Sequence, residues 1–182
     1  MQPSPSRLAA ADADFAVASV RARFADLKEL LKPGISGFVV VTAAAGYLLG
    51  TPGAGSIDWG VLIGLLLGTA MTSGGAGALN HVAEHRLDAL MHRTQNRPIP
   101  AGRIGRSLAL VYGLVFALGG LLVLALTTNT LTAVLAAATV VLYIAIYTPL
   151  KRRTPHNTLV GAIPGALPTL GGVTAATGTL TA

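Results

Sequence analysis

Five apolar runs, each close to or beyond the length needed to cross a bilayer, leave this 182-residue chain few ways to fold. They fall near residues 34–50, 59–79, 107–127, 131–150 and 158–182. The first is short for a span, and the last is interrupted by Pro164 and Pro168 and is rich in glycine. Charged residues make up 11% of the chain, against about 25% in soluble domains, and the mean hydropathy is +0.65. The fold class these runs predict is all-α, a multi-pass transmembrane helical bundle. No connection is long enough for a separate soluble domain. The absence of Cys excludes disulfides, thiolate chemistry and Cys-ligated metals.

The cations are distributed by side. Five Lys/Arg precede the first run (Arg7, Arg21, Arg23, Lys28, Lys32), five lie between the second and third (Arg86, Arg93, Arg97, Arg103, Arg106), and three follow the fourth (Lys151, Arg152, Arg153). The two intervening connections have none. The positive-inside rule therefore places the N-terminus and the 80–106 stretch in the cytoplasm. A net charge of +6 invites a nucleic-acid partner, but the basic residues do not interleave with aromatics and no nucleic-acid motif appears. Residues 1–18, Ala-rich with Pro3, Pro5, Asp12 and Asp14, read as a disordered tail without the features of a signal peptide. Residues 19–32 place Val20, Phe24, Leu27 and Leu31 at helical spacing, which predicts an interfacial amphipathic helix.

Residues 80–106, NHVAEHRLDALMHRTQNRPIPAGRIGR, hold most of the polar chemistry. Asn80, Glu84 and Asp88 recur every four residues, so a helix would present three oxygen-bearing side chains on one face. Hard oxygens suit Mg²⁺, which favours carboxylates, water and phosphates. Arg93, Arg97, Arg103 and Arg106 follow with guanidinium forks that match phosphate oxygens. Together they predict a metal-bridged diphosphate site at the membrane boundary. Surface polarity is the plainer explanation, but polar groups at that depth are costly and usually functional. His81, His85 and His92 complete no zinc motif and read as polar loop residues, although one could meet a haem propionate. Tyr147 and Lys151, four apart, fit either a phosphate-facing pair or a stop-transfer cluster with Arg152 and Arg153. The Gly/Pro-rich last run reads as close helix packing, with unwinding beside a cavity the alternative, whereas at 73–77 close approach to a ligand is favoured over packing.

The motif NHVAEHRLDALMHRTQNRPIPAGRI resembles the first Asp-rich motif of the intramembrane prenyltransferases of the UbiA type. LLKPGISGFVVVTAAAGYLLG, the run ending in YTPLKRRT, and HNTLVGAIPGALPTLGG agree in order, and the whole is most similar to the protohaem IX farnesyltransferases (haem O synthases). The resemblance implies transfer of a farnesyl group from farnesyl diphosphate to a vinyl group of haem b, giving haem O for terminal oxidases. It implies Asn80, Glu84 and Asp88 as Mg²⁺ and diphosphate ligands, Arg93, Arg97, Tyr147 and Lys151 as diphosphate contacts, and Arg93 and Lys151 among the catalytic groups. It also implies a bacterial plasma (inner) membrane location and haem A synthase as a partner. Glu84 stands where many members carry Asp, and the family's second Asp-rich motif is not present, so the chain is expected to be an N-terminal fragment, inactive alone. Two alternatives stay open: a related prenyltransferase acting on an aromatic or quinone precursor, and a non-enzymatic membrane subunit.

Overall fold

The computed structural model describes residues 19–151 and 157–180. The expected N-terminal tail, Arg7, Arg152, Arg153 and the last two residues lie outside that range. The described chain is all-helical: α1 (residues 19–30), α2 (Pro33–Gly50), α3 (Trp59–Asp88), α4 (Arg106–Thr127), α5 (Thr130–Leu150) and α6 (Asn157–Thr177). Helices α2 to α6 are each long and apolar enough to cross a membrane. The protein is a multi-pass membrane protein.

Local chemistry sets the helix ends. Pro33 opens α2, where its fixed φ and missing N–H cost nothing. Asp58 caps α3 by accepting from the Val61 amide at 3.0 Å. The Tyr47 hydroxyl donates to the Asp58 carbonyl at 3.0 Å and accepts from its amide at 3.1 Å, which ties α2 to the start of α3. Asn129 caps α5 through the Thr132 amide at 2.9 Å, and its side-chain amide donates to the Thr174 carbonyl of α6 at 2.7 Å.

Two seams of small residues hold the bundle. Along α3 and α4, Gly75 sits so close to its neighbour that an added Cβ would stand 2.3 Å from the Ala117 amide nitrogen. Along α2 and α6, a Cβ at Gly172 would stand 2.0 Å from the Ala43 carbonyl oxygen. Helix α4 shows the logic of a lipid solvent: Ala109, Gly113, Ala117, Gly120 and Leu124 face inward, while Leu108, Val111, Val115, Leu118 and Leu122 are exposed. Small residues inside allow close approach, and large apolar ones face the hydrocarbon.

The structure differs from the sequence-based boundaries in two places, at the end of α3 and within α6. Helix α3 continues to Asp88 instead of stopping at Leu79, so the first nine residues of the expected 80–106 loop are helical. HVAEHRL contains no helix breaker, and the buried Asn80, Glu84 and Asp88 find partners on other elements, so nothing forces the helix to end at the apolar boundary. Helix α1 turns its Asp26, Leu27 and Leu30 face inward and leaves Val20 and Phe24 exposed. Leu30 is fully buried in a cluster with Ala78, Val82, Ile99, Ile104 and Ala109. Pro164 and Pro168 sit within a continuous α6.

A Gly172→Ala substitution is expected to push α6 off α2 and cost about 1–3 kcal/mol, the usual range for overpacking. Gly165→Ala in the same helix, where an added Cβ meets nothing within 4 Å, should be neutral or slightly stabilising. Thermal unfolding followed by circular dichroism in detergent distinguishes the two; equal melting points would contradict the seam.

Candidate functional site

Asn80, Glu84 and Asp88 share one face of the last turns of α3, and all three are buried, at 1%, 5% and 4% exposure. Charges at such depth must be paired. Glu84 forms an ion pair with Lys151 from the end of α5. Asp88 accepts from Arg97 Nη1 at 2.8 Å. The Asn80 side-chain oxygen accepts from Lys32 Nζ, at the junction of α1 and α2. Two carboxylates and one amide from α3 are thus met by three cations from three different segments.

Each partner is placed by its backbone. Lys32 is the one non-glycine residue of positive φ among the described residues, at φ 48° and ψ 60°, and this left-handed step turns the chain between α1 and α2. Arg97 rides on the compact 89–105 loop, which is folded against α3 by Thr94 Oγ1 donating to the Asp88 carbonyl at 3.0 Å and by the buried Pro98, Ile99 and Ile104. Lys151 follows a π-helical segment, Leu142–Tyr147, that interrupts α5. In that segment Tyr143 and Tyr147 stack with ring centroids 5.7 Å apart and an interplanar angle of 18°. The Tyr147 ring lies against Gly161 of α6.

Below the cluster, α2, α3, α5 and α6, with Leu124 of α4, line a cavity of about 430 Å³. Lys32, Ser73, Gly77, Tyr143 and Tyr147 border its polar end. Phe38, Val39, Leu65, Leu124 and Val140 line its apolar body. The volume lies within the roughly 300–1,000 Å³ of ligand pockets. Of the three cations that meet the α3 face, Lys32 alone also lines the cavity.

The residues singled out from the sequence divide. Asn80, Glu84, Asp88, Arg97 and Lys151 come together, with Tyr147 beside them at the cavity mouth. Arg93 and Arg106 are exposed and make no ion pair with the α3 face. Arg103 is not a free phosphate fork: its Nε donates to both Asp26 oxygens at 2.9 and 3.1 Å and its Nη2 to the Asn96 carbonyl at 3.1 Å. It clamps the loop to α1, because a buried Asp26 needs a cation. His81 is not a polar loop residue either; it lies on α3, 2% exposed, and its Nδ1 finds no partner among the described residues. His85 Nδ1 sits 2.9 Å from the Val82 carbonyl, and His92 is exposed on the loop. Lys32 and Thr148 were missed. A lysine beside Pro33 at a membrane edge, and a threonine between Tyr147 and Lys151, were the available signals.

The donor set fits a Mg²⁺ that shares its shell with phosphate. Among the described residues no three His, Asp or Glu side chains form a cation cage by themselves. Two carboxylates and an amide suit an ion that keeps waters and takes the rest of its ligands from a substrate. The three cations facing them are the groups such a substrate would engage.

Burial, with Arg97 nearby, lowers the Lys32 ammonium from its ordinary 10.5 to about 8. Between those values the unfolded chain holds the proton and the folded chain has released it, so stability rises with pH across that window. Below pH 8 the cost of the buried charge is fully present. The melting midpoint of the protein in detergent is expected to climb from pH 8 towards pH 10, and Lys32→Met should flatten that climb. An identical slope in the variant would mean that Lys32 is solvated like a surface lysine.

Comparison with known proteins returns one family. The profile of the UbiA prenyltransferase family matches residues 39–182. The protoheme IX farnesyltransferase of Salinibacter ruber is 53% identical over 151 residues, covering 83% of this chain and 53% of the relative. That of an Anaeromyxobacter species is 47% identical over 173 residues, covering 92% of this chain and 57% of the relative. That of Flavobacterium johnsoniae is 41% identical, covering 88% and 53%. The chain thus spans about half the length of the curated relatives it matches. No solved structure matches it. With most of its length under the family profile, the chain belongs to the UbiA prenyltransferase family.

Proposed function

We propose that this chain forms the diphosphate-binding half of an enzyme that transfers a farnesyl group from farnesyl diphosphate to a vinyl group of haem b, giving haem O. The observation that carries the reading is the buried cluster of Asn80, Glu84 and Asp88 with Lys32, Arg97 and Lys151 at the polar end of an apolar cavity. An amphiphile with a diphosphate head and a prenyl tail has that polarity. Similarity to relatives named protoheme IX farnesyltransferase favours the farnesyl donor and haem acceptor.

The roles follow from the groups present. Asn80, Glu84 and Asp88 would hold Mg²⁺ together with the diphosphate, and the bound ion would add positive charge where the leaving group gains negative charge. Lys151 and Arg97 would turn from Glu84 and Asp88 to phosphate oxygens, with Tyr147 and the exposed Arg93 as further contacts. Among the described residues, three cations against two carboxylates leave the cluster with one excess positive charge, which would draw an anion. Lys32, at the seam between cluster and cavity, lies where the bond between prenyl carbon and oxygen would break. The apolar cavity would exclude water from an allylic cation until the vinyl carbon attacks it; water then adds to the carbocation left beside the porphyrin and loses a proton, giving the hydroxyethylfarnesyl group. Arg21, Arg23 and Lys28, the 89–105 loop and Lys151 share one end of the bundle, which favours a cytoplasmic site in a bacterial inner membrane.

Equilibrium binding of farnesyl diphosphate to the detergent-solubilised chain, with Mg²⁺ and with chelator, tests the reading. Binding is expected to require Mg²⁺ and to weaken at least about tenfold in Asp88→Ala, since both a ligand and the partner of Arg97 are lost. Binding that ignores Mg²⁺ and Asp88 would favour the non-enzymatic membrane subunit. Product analysis with haem b against 4-hydroxybenzoate separates haem farnesylation from prenylation of a quinone precursor.

A further inference from the structure

A side-chain amide offers an oxygen on one side and an NH₂ on the other, and only the oxygen can serve a cation. Two neighbours bear on which way Asn80 points, and one of them lies outside the charged cluster. Thr148 is buried at 4% exposure, immediately after the π-helical segment of α5. Its hydroxyl donates to the Tyr143 carbonyl at 2.8 Å, and the Tyr143 carbonyl also accepts from the Thr148 amide. A hydroxyl has one proton, so Thr148 Oγ1 can only accept from its other neighbours. That neighbour is Asn80 Nδ2, 3.1 Å away. On the opposite side of the amide, Lys32 Nζ can only donate, and it meets the Asn80 oxygen.

We propose that Thr148 is a positioning residue that fixes the orientation of the Asn80 amide, so that its oxygen faces the charged cluster and is available to a divalent cation. The π-helical turn is what makes this possible. In a regular α-helix the carbonyl of residue 143 would bond the amide of residue 147; the wider register passes it to residue 148 and spends the threonine's single proton there. Such interruptions concentrate at functional sites. Orienting groups behind a metal ligand commonly matter 10–100-fold for metal affinity.

The inference rests on the diphosphate reading above, and the test separates the two. Binding of farnesyl diphosphate is measured across a Mg²⁺ titration in the wild-type chain, Thr148→Val, Thr148→Ser, Asn80→Ala and the Asn80→Ala/Thr148→Val pair. Thr148→Val keeps the branched shape and removes the hydroxyl. The Mg²⁺ concentration for half-maximal binding is expected to rise about tenfold in that variant and less than twofold in Thr148→Ser. Adding Thr148→Val to Asn80→Ala should change nothing further, since the residue acts through Asn80. Thr148→Ala gives the same reading if the valine variant does not fold. A wild-type midpoint in Thr148→Val, or an equal loss in the Asn80→Ala background, overturns the assignment of Thr148 while leaving the diphosphate site standing. Wild-type protein that binds without regard to Mg²⁺ overturns the diphosphate site and the role of Thr148 together.

Discussion

Two carboxylates buried at the membrane boundary set the terms for everything around them. Unpaired, Glu84 and Asp88 would each cost several kcal/mol in a medium of low polarity. The chain answers with Lys151 and Arg97, and with Lys32 on the amide of Asn80. Those cations come from the end of α5, the 89–105 loop and the α1–α2 junction, so satisfying one helix face draws three distant segments together. Apolar packing between membrane helices has no hydrophobic force behind it. The polar cluster therefore helps to organise the bundle as well as forming the candidate site.

That dual role accounts for features that look decorative in isolation. The Asp26–Arg103 pair holds α1 against the loop that carries Arg97. Leu30 seats the same helix in the Ile99 and Ile104 cluster, two residues before Lys32. The strained left-handed backbone at Lys32 persists because both flanking helices are fixed. At the far end of the cavity a second polar knot does similar work without charge: Thr132 and Thr174 hydroxyls lie 2.9 Å apart, and Asn129 bridges α5 to α6.

Much of this was legible in the sequence, for reasons that can be named. The spans announce themselves because hydrocarbon demands long apolar runs, and the α3 triad because a spacing of four is a helical face. Local polarity was misread where the partner is remote in sequence. His81 looked like a loop histidine because the apolar run ends at Leu79, yet α3 continues, its polar residues being satisfied by residues 32, 97, 148 and 151. Arg103 looked free because its partner lies 77 residues away. The inward face of α1 had no clear signal, because Val20 and Phe24 share the apolar stripe with Leu27, whereas burial follows Asp26 and Leu30. Lys32 and the π-helical turn carry almost no local signal; both acquire meaning only from what they meet across the bundle.

Helix α5 has a consequence for selectivity. Its fully buried residues among those described are Thr132 and Thr148, one near each end, and both are held by hydroxyl bonds to neighbouring helices. Between them, Ala136, Thr139 and Val140 line the cavity and make no side-chain hydrogen bond to another helix. The wall is thus a strut pinned at its two tips. Bowing its middle outward breaks no side-chain hydrogen bond to another helix among the described residues, so on the proposed reading a thicker or more branched tail would be resisted only weakly, whereas a wrongly shaped head would meet a cluster of fixed charges. A pocket built this way discriminates by the end it grips and is tolerant along the length it merely encloses.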